Sequence, residues 1–133
     1  MAHACAAARL TGVRVVLVDD EQHVRDLFAE ALHLAGADVR AAASAREALT
    51  LIEQQVPDVL VSDIMMPRED GYWLIAAISA MGPRRPRTIA ITGDARKHPR
   101  DEVLRAGYDA HLAKPIPLET LTTTVARLAG RAV

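Results

Sequence analysis

The sequence predicts an α/β domain built as an open, doubly wound parallel sheet of five strands, (βα)5. Five short runs rich in β-branched residues alternate with five helical patterns along 133 residues, which is the signature of βαβ units. The strand runs are almost continuously apolar, as strands covered on both faces must be. Carboxylate, hydroxyl and ammonium side chains fall at the carboxyl ends of these runs, where open sheets of this kind gather their ligands.

Val13 to Val18, apolar except for Arg14 and bounded by Gly12 and Asp19–Asp20, is the first strand. Val24, Leu27, Phe28, Ala31 and Ala35 then share the spacing of one helix face, with Gly36 as the C-cap. Val39 to Ala43 is a weaker strand, expected at an edge of the sheet. Ser44 and Glu47 have capping-box spacing, and Ala45, Ala48, Leu49 and Ile52 supply the buried stripe of a second helix that Pro57 ends. Val59 to Ile64 is the third strand, with Asp63 near its end. Met65 to Gly71, containing Pro67 and Asp70–Gly71, reads as a loop. A helix follows over Tyr72 to Met81, with Leu74, Ile75 and Ile78 inward.

Gly82 to Pro86 is a turn, and Arg84, Arg85 and Arg87 read as solvated charge. Thr88 to Thr92 is the fourth strand. A polar helix interrupted by Pro99 runs to Gly107, with Val103 and Leu104 its only large apolar residues. Ala110 to Lys114 is the fifth strand. Pro115 and Pro117 precede a last helix carrying Leu118, Leu121, Val125 and Leu128 on one face. The expected organisation is a tail over 1–12, one domain over 13–130 and a short end over 131–133.

Composition removes several function classes. Sixteen basic against seventeen acidic side chains leave a net charge of −1, without the basic excess that phosphate backbones call for. The four aromatics, Phe28, Tyr72, Trp73 and Tyr108, are too few for a base-stacking surface. Tyr72 and Trp73 read as packing residues. The single cysteine, Cys5, rules out a disulfide framework and reads as an inert thiol. No apolar run approaches the ~20 residues of a membrane span, and Met1 to Thr11 lacks the regions of a signal peptide. A cytoplasmic protein that engages neither membrane nor nucleic acid is expected. His23 and His33 read as solvated. The run Arg96, Lys97, His98 and Arg100 reads as solvated too, or as a contact for an acidic partner.

In a doubly wound sheet Asp19, Asp20, Asp63, Thr92 and Lys114, though more than 90 positions apart at the extremes, should converge beyond the strand ends. Lys114, between apolar neighbours and Pro115, is hard to explain as surface decoration. The others each have a bland reading: the acid pair as a helix N-cap, Asp63 as a loop acid, Thr92 as a cap or turn residue. Together they read otherwise. Three neighbouring carboxylates repel one another unless a cation is present, and hard oxygen ligands without His or Cys select Mg²⁺. A cation, an ammonium and a hydroxyl around one carboxylate match the needs of a phosphoryl group. A carboxylate can itself be the nucleophile, forming an aspartyl-phosphate. No Gly-rich phosphate loop suggests a bound nucleotide.

The blocks Leu17-Val18-Asp19-Asp20-Glu21, Ser62-Asp63-Ile64-Met65-Met66-Pro67 with Asp70-Gly71, Ile91-Thr92-Gly93 and Ala113-Lys114-Pro115 resemble the receiver domains of bacterial two-component response regulators, from roughly Arg14 to Leu128. The resemblance implies the strand order 2-1-3-4-5 and Asp63 as phosphoacceptor for a sensor histidine kinase or histidine phosphotransfer protein. It implies Mg²⁺ held by Asp20, Asp63 and the Met65 backbone carbonyl, with Asp19 acting through water. Lys114 and the Gly93 amide would meet phosphoryl oxygens, Thr92 would swing onto one, and the Lys114–Pro115 bond would be cis. Pro67, Gly71 and Pro115 would be structural. The surface biased by modification would be the fourth helix, fifth strand and fifth helix, which is also where a homodimer would form.

Two positions depart from the family pattern. His111 stands where many receivers have Tyr or Phe, and is either a packing residue or a switch residue. Met65 is apolar where many have a polar residue, which is expected to alter water access to the phosphoryl group. Because nothing follows Val133, the expected protein is a stand-alone, non-enzymatic switch acting on a downstream protein in trans. Two other classes compete. A phosphohydrolase of the haloacid dehalogenase type would need an acid where Met65 stands. A flavin-binding module would need a hydroxyl- or Gly-rich loop where Asp19-Asp20-Glu21 stands.

Overall fold

The computed structural model describes residues 9–131; Cys5 lies outside them. Strands β1 (Arg14–Val18), β2 (Asp38–Ala42), β3 (Val59–Asp63), β4 (Arg87–Thr92) and β5 (Ala110–Ala113) form one parallel sheet in the order β2-β1-β3-β4-β5. Five helices connect and cover them: α1 (Gln22–Leu34), α2 (Ala45–Gln54), α3 (Gly71–Ser79), α4 (Arg100–Arg105) and α5 (Leu118–Leu128). The predicted doubly wound architecture and order 2-1-3-4-5 are what the chain adopts.

Alternate residues of each central strand feed two separate cores, which is why these strands read as unbroken apolar runs. Val15, Leu17, Val61, Ile89 and Ile91 pack with Phe28 and Leu32 of α1 and Leu121 and Val125 of α5. Val16, Val18, Leu60 and Ala90 pack on the other face with Ile52 of α2, Leu74 and Ile78 of α3 and Val103 of α4. β3, central and wholly buried, carries Asp63 at its last position. β2 is the exposed edge strand its weaker pattern suggested.

Several local expectations are corrected. The α1 stripe centres on Phe28 and Leu32, while Leu27 is half exposed. Leu32 lies one turn beyond Phe28, so the buried face is rotated away from Leu27. Leu10 is wholly buried and its amide donates to the Ala35 carbonyl at 2.8 Å, so the core reaches into the segment expected as tail. Leu118 is partly exposed, and Thr124 joins Leu121 and Val125 on the buried face of α5. α3 starts at Gly71 because the Asp70 carboxylate accepts from the Trp73 amide at 2.9 Å. Pro99 precedes the first residue of α4 and does not interrupt it.

The capping box at α2 forms with one change: the Glu47 amide donates to Ser44 Oγ at 3.1 Å, but the Glu47 carboxylate reaches the Ala43 amide at 2.7 Å. Arg85 and Arg87 are not merely solvated. Arg85 donates to the Gly107 carbonyl at 3.0 Å and to Thr88 Oγ1 at 3.1 Å, and both arginines pair with Asp109. Asp109 also accepts from the Thr88 amide at 2.8 Å, tying β4 to the start of β5. His98 is not free either, since its Nδ1 lies 3.2 Å from the Tyr72 hydroxyl. The Trp73 ring carries the Arg46 guanidinium 5.3 Å from its centroid.

The rotated α1 face makes a direct test. Leu32→Ala should cost about 3–4 kcal/mol by the transfer and cavity contributions, whereas Leu27→Ala should change stability by less than about 0.5 kcal/mol. Urea unfolding of both variants would show the contrast, and equal losses would contradict this packing.

Candidate functional site

The parallel register brings the strand ends level. Val18 pairs with Ser62, Asp63 with Ile91, and Thr92 with Ala113. Asp19, Asp63, Thr92 and Lys114 therefore emerge at one edge of the sheet, at the carboxyl ends of four neighbouring strands. A Lys114 amide bond to the Thr92 carbonyl, 2.8 Å, continues the ladder one residue beyond β5.

Lys114 Nζ lies 3.3 Å from Asp19 Oδ2 and 3.6 Å from Asp63 Oδ2. Asp19 and Asp63 are buried and Asp20 is exposed, yet all three present carboxylate oxygens within 4.8 Å of one another. Asp19 is held by the Glu21 amide, which donates to Oδ1 at 2.9 Å, and by Arg25, which donates to its backbone carbonyl at 2.8 Å. Three carboxylates face one ammonium. That deficit of positive charge, with oxygen donors only and one acid open to solvent, fits a hard divalent cation such as Mg²⁺.

Burial, and then the neighbouring Asp19 charge, push the Asp63 carboxyl up from 3.8 to about 6. Asp20 adds to the rise, while Lys114 and the Met65 amide, which donates to the Asp63 carboxylate, oppose it. Burial also works against the Lys114 ammonium, but Asp63 and Asp19 outweigh it and hold its pKa above the usual lysine value. Partial burial, with Arg100 nearby, lowers the pKa of His111.

The remaining predicted residues surround this cluster. Thr92 is fully buried, and its Oγ1 lies 2.8 Å from His111 Nε2. A Cβ built on Gly93 would meet nothing within 4 Å, so there is open space beside the end of β4. The Lys114–Pro115 bond is cis. Ile64, Met65, Met66, Pro67, Asp70 and His98 line a shallow groove beside the acid cluster, with Met65 about half exposed. Gly71 closes the loop after β3: its amide donates to the Ile64 carbonyl at 2.8 Å, and its own carbonyl accepts from the buried Tyr108 hydroxyl at 2.7 Å.

Arg25 and Tyr108 are the supporting residues that sequence reading missed. Arg25 reaches back from α1 to the Asp19 carbonyl, and Tyr108, in the loop before β5, reaches the Gly71 carbonyl at the start of α3; neither spacing nor composition signals such a bond. The sequence leaves His111 as either a packing or a switch residue, and the structure adds its bond to Thr92, across adjacent strands and offset by two positions in register.

A family model for the response regulator receiver domain matches residues 15–126. An uncharacterized 14.6 kDa protein of Leptolyngbya boryana is 40% identical over 115 residues, covering 84% of this chain and 87% of that protein. The transcriptional regulatory protein TrcR of Mycobacterium tuberculosis is 40% identical over 120 residues, covering 89% of this chain but only 44% of TrcR. The receiver domain of the Francisella response regulator 1452 superposes with a TM-score of 0.83 at 27% identity, over 90% of this chain and 98% of that one. With the acid cluster and Lys114 in place at the sheet edge, the chain belongs to the response regulator receiver domains, the phosphoacceptor switches of two-component signalling.

Proposed function

We propose that Asp63 accepts a phosphoryl group from a histidine of a sensor histidine kinase or histidine phosphotransfer protein, in an Mg²⁺-dependent step. The observation that carries this reading is a buried carboxylate with an ammonium 3.6 Å away and two further carboxylates gathered beside it. An Asp63 oxygen forms a bond to phosphorus as the bond from phosphorus to the donor's imidazole nitrogen breaks. Asp20, Asp63 and the Met65 carbonyl would hold Mg²⁺ directly and Asp19 would hold it through water; the ion supplies charge neutralisation for the phosphoryl oxygens. Lys114 and the Gly93 amide take phosphoryl oxygens, and the Thr92 hydroxyl turns to a third. A carboxyl titrating at about 6 is mostly ionised at neutral pH and so is competent to attack.

Modification exchanges one carboxylate charge for a dianionic group with three acceptor oxygens. The readout then passes to α4, β5 and α5, and onward to a downstream protein in trans or to a second copy docked on that face. The protein works in the cytoplasm, free of nucleic acid and membrane; among the described residues no helix is long and apolar enough to cross a membrane. Met65 occupies the place where a phosphohydrolase would need its general acid, so phosphate esters are not turned over. Its half-exposed side chain limits water access, and the acyl-phosphate half-life in Met65→Asn should differ from the parent's.

Incubation with a small acyl phosphate and Mg²⁺ should add one phosphoryl group, which mass spectrometry localises to Asp63. Chelation should prevent it, and Lys114→Ala should slow it by about 100-fold, as loss of a charged transition-state contact does. A phosphoryl group on another residue, or uptake that survives chelation, would refute the proposal.

A further inference from the structure

The bond between Thr92 and His111 has a direction. β4 lies between β3 and β5 in the sheet, so the end of β4 has Asp63 on one side and His111 on the other. Thr92 Oγ1 is 2.8 Å from His111 Nε2, which places the hydroxyl on the β5 side. His111 pairs in register with Ala90, two residues before Thr92, and the ring reaches forward along the sheet to meet the hydroxyl. Thr92 is fully buried and His111 partly so. A threonine χ1 has discrete staggered wells, so Oγ1 cannot serve β5 and β3 at once.

We infer that His111 is a positioning residue that latches Thr92 in the unmodified state: the hydroxyl must leave the imidazole before it can reach a phosphoryl oxygen on Asp63. The inference rests on Asp63 being the phosphoacceptor and adds to it a competitor for the same hydroxyl. A phenyl ring at this position can occupy or vacate space but cannot hold the Thr92 hydroxyl by a hydrogen bond. Here the change of state includes breaking a specific hydrogen bond, and His111 weakens the modified state by that amount. Lys114 and the carboxylates take no part in the latch, so metal binding is independent of it.

The test is beryllofluoride binding in saturating Mg²⁺, followed by fluorine NMR on the full chain, with the ring nitrogens of His111 observed by long-range proton–nitrogen correlation. His111→Phe should bind beryllofluoride about three- to tenfold more tightly than the parent, the net value of one neutral hydrogen bond. His111→Gln, whose amide can again meet the hydroxyl, should return toward the parent. In a Thr92→Val background His111→Phe should have no further effect. In the parent, the Nε2 resonance should move when beryllofluoride binds, a change that a packing role would not produce. Equal affinity of parent and His111→Phe, or an Nε2 resonance indifferent to beryllofluoride, would overturn the latch while leaving Asp63 as acceptor. A parent that binds no beryllofluoride would overturn both.

Discussion

Asp63→Asn is expected to abolish phosphoryl uptake and, in the absence of metal, to melt about 10 °C above the parent at about pH 7.5. The two effects have one origin. Asp63 is 5% exposed, and burial together with Asp19 raises its pKa from 3.8 to about 6. Between those values the folded chain binds more protons than the unfolded chain, so stability falls as pH rises through that interval. Above about pH 6 the whole penalty is present, about 3 kcal/mol for a shift of roughly two pH units. Below about pH 4 the carboxyl is protonated in both states and the penalty vanishes. The amide side chain never carries the charge, so its advantage should be largest at high pH and should fade on acidification. Mg²⁺ should then reverse the order, because a ligand that binds only the folded state stabilises it, and the variant has lost a carboxylate that would hold the ion. Thermal melts with chelator and with Mg²⁺, from about pH 4 to 8, would decide it. A variant less stable than the parent at high pH without metal would show that the carboxylate is not under electrostatic strain.

How much of this was legible in the sequence depends on how far each interaction reaches. The three central strands announced themselves because both their faces are buried, and Asp19, Asp20 and Asp63 because they stand at the ends of such runs. Asp19, Asp20, Asp63 and Lys114 needed only the rule that parallel strands share one carboxyl edge. Leu27 and Leu32 were harder, since both fit an amphipathic helix and only the packed sheet selects between them. Arg85 and Arg87 read as turn charges until the fold brought Asp109 beside them, 24 and 22 positions away. The Thr92 hydroxyl had no resting orientation legible in the sequence. Its partner is set by the register of β4 against β5, and that register follows from the whole sheet. The pattern is general for α/β sites: residue types at strand ends are local signals, but the hydrogen bonds that orient them are tertiary.

Gly71→Ala should be the most damaging conservative substitution near the site, at about 2–4 kcal/mol. Gly71 is not at a positive φ, and an alanine at the first position of α3 would by intrinsic preference favour the helix. Packing reverses that sign. The new Cβ would stand 2.7 Å from Ile64 Cα and 2.8 Å from the Asp63 carbonyl oxygen, and backbone atoms cannot step aside as the end of a side chain can. Either the start of α3 moves out, stretching the Gly71 amide bond to Ile64 and the Tyr108 bond to the Gly71 carbonyl, or the end of β3 yields. The second course displaces Asp63 itself, so Mg²⁺-dependent stabilisation and phosphoryl uptake should fall with stability. Gly93→Ala is the matched control: its Cβ would meet nothing within 4 Å, and its stability should stay within about 0.5 kcal/mol of the parent. Urea unfolding of the two variants separates contact from conformational preference. If Gly71→Ala proved as stable as Gly93→Ala, the close approach of α3 to the end of β3 could not be what seats the acceptor.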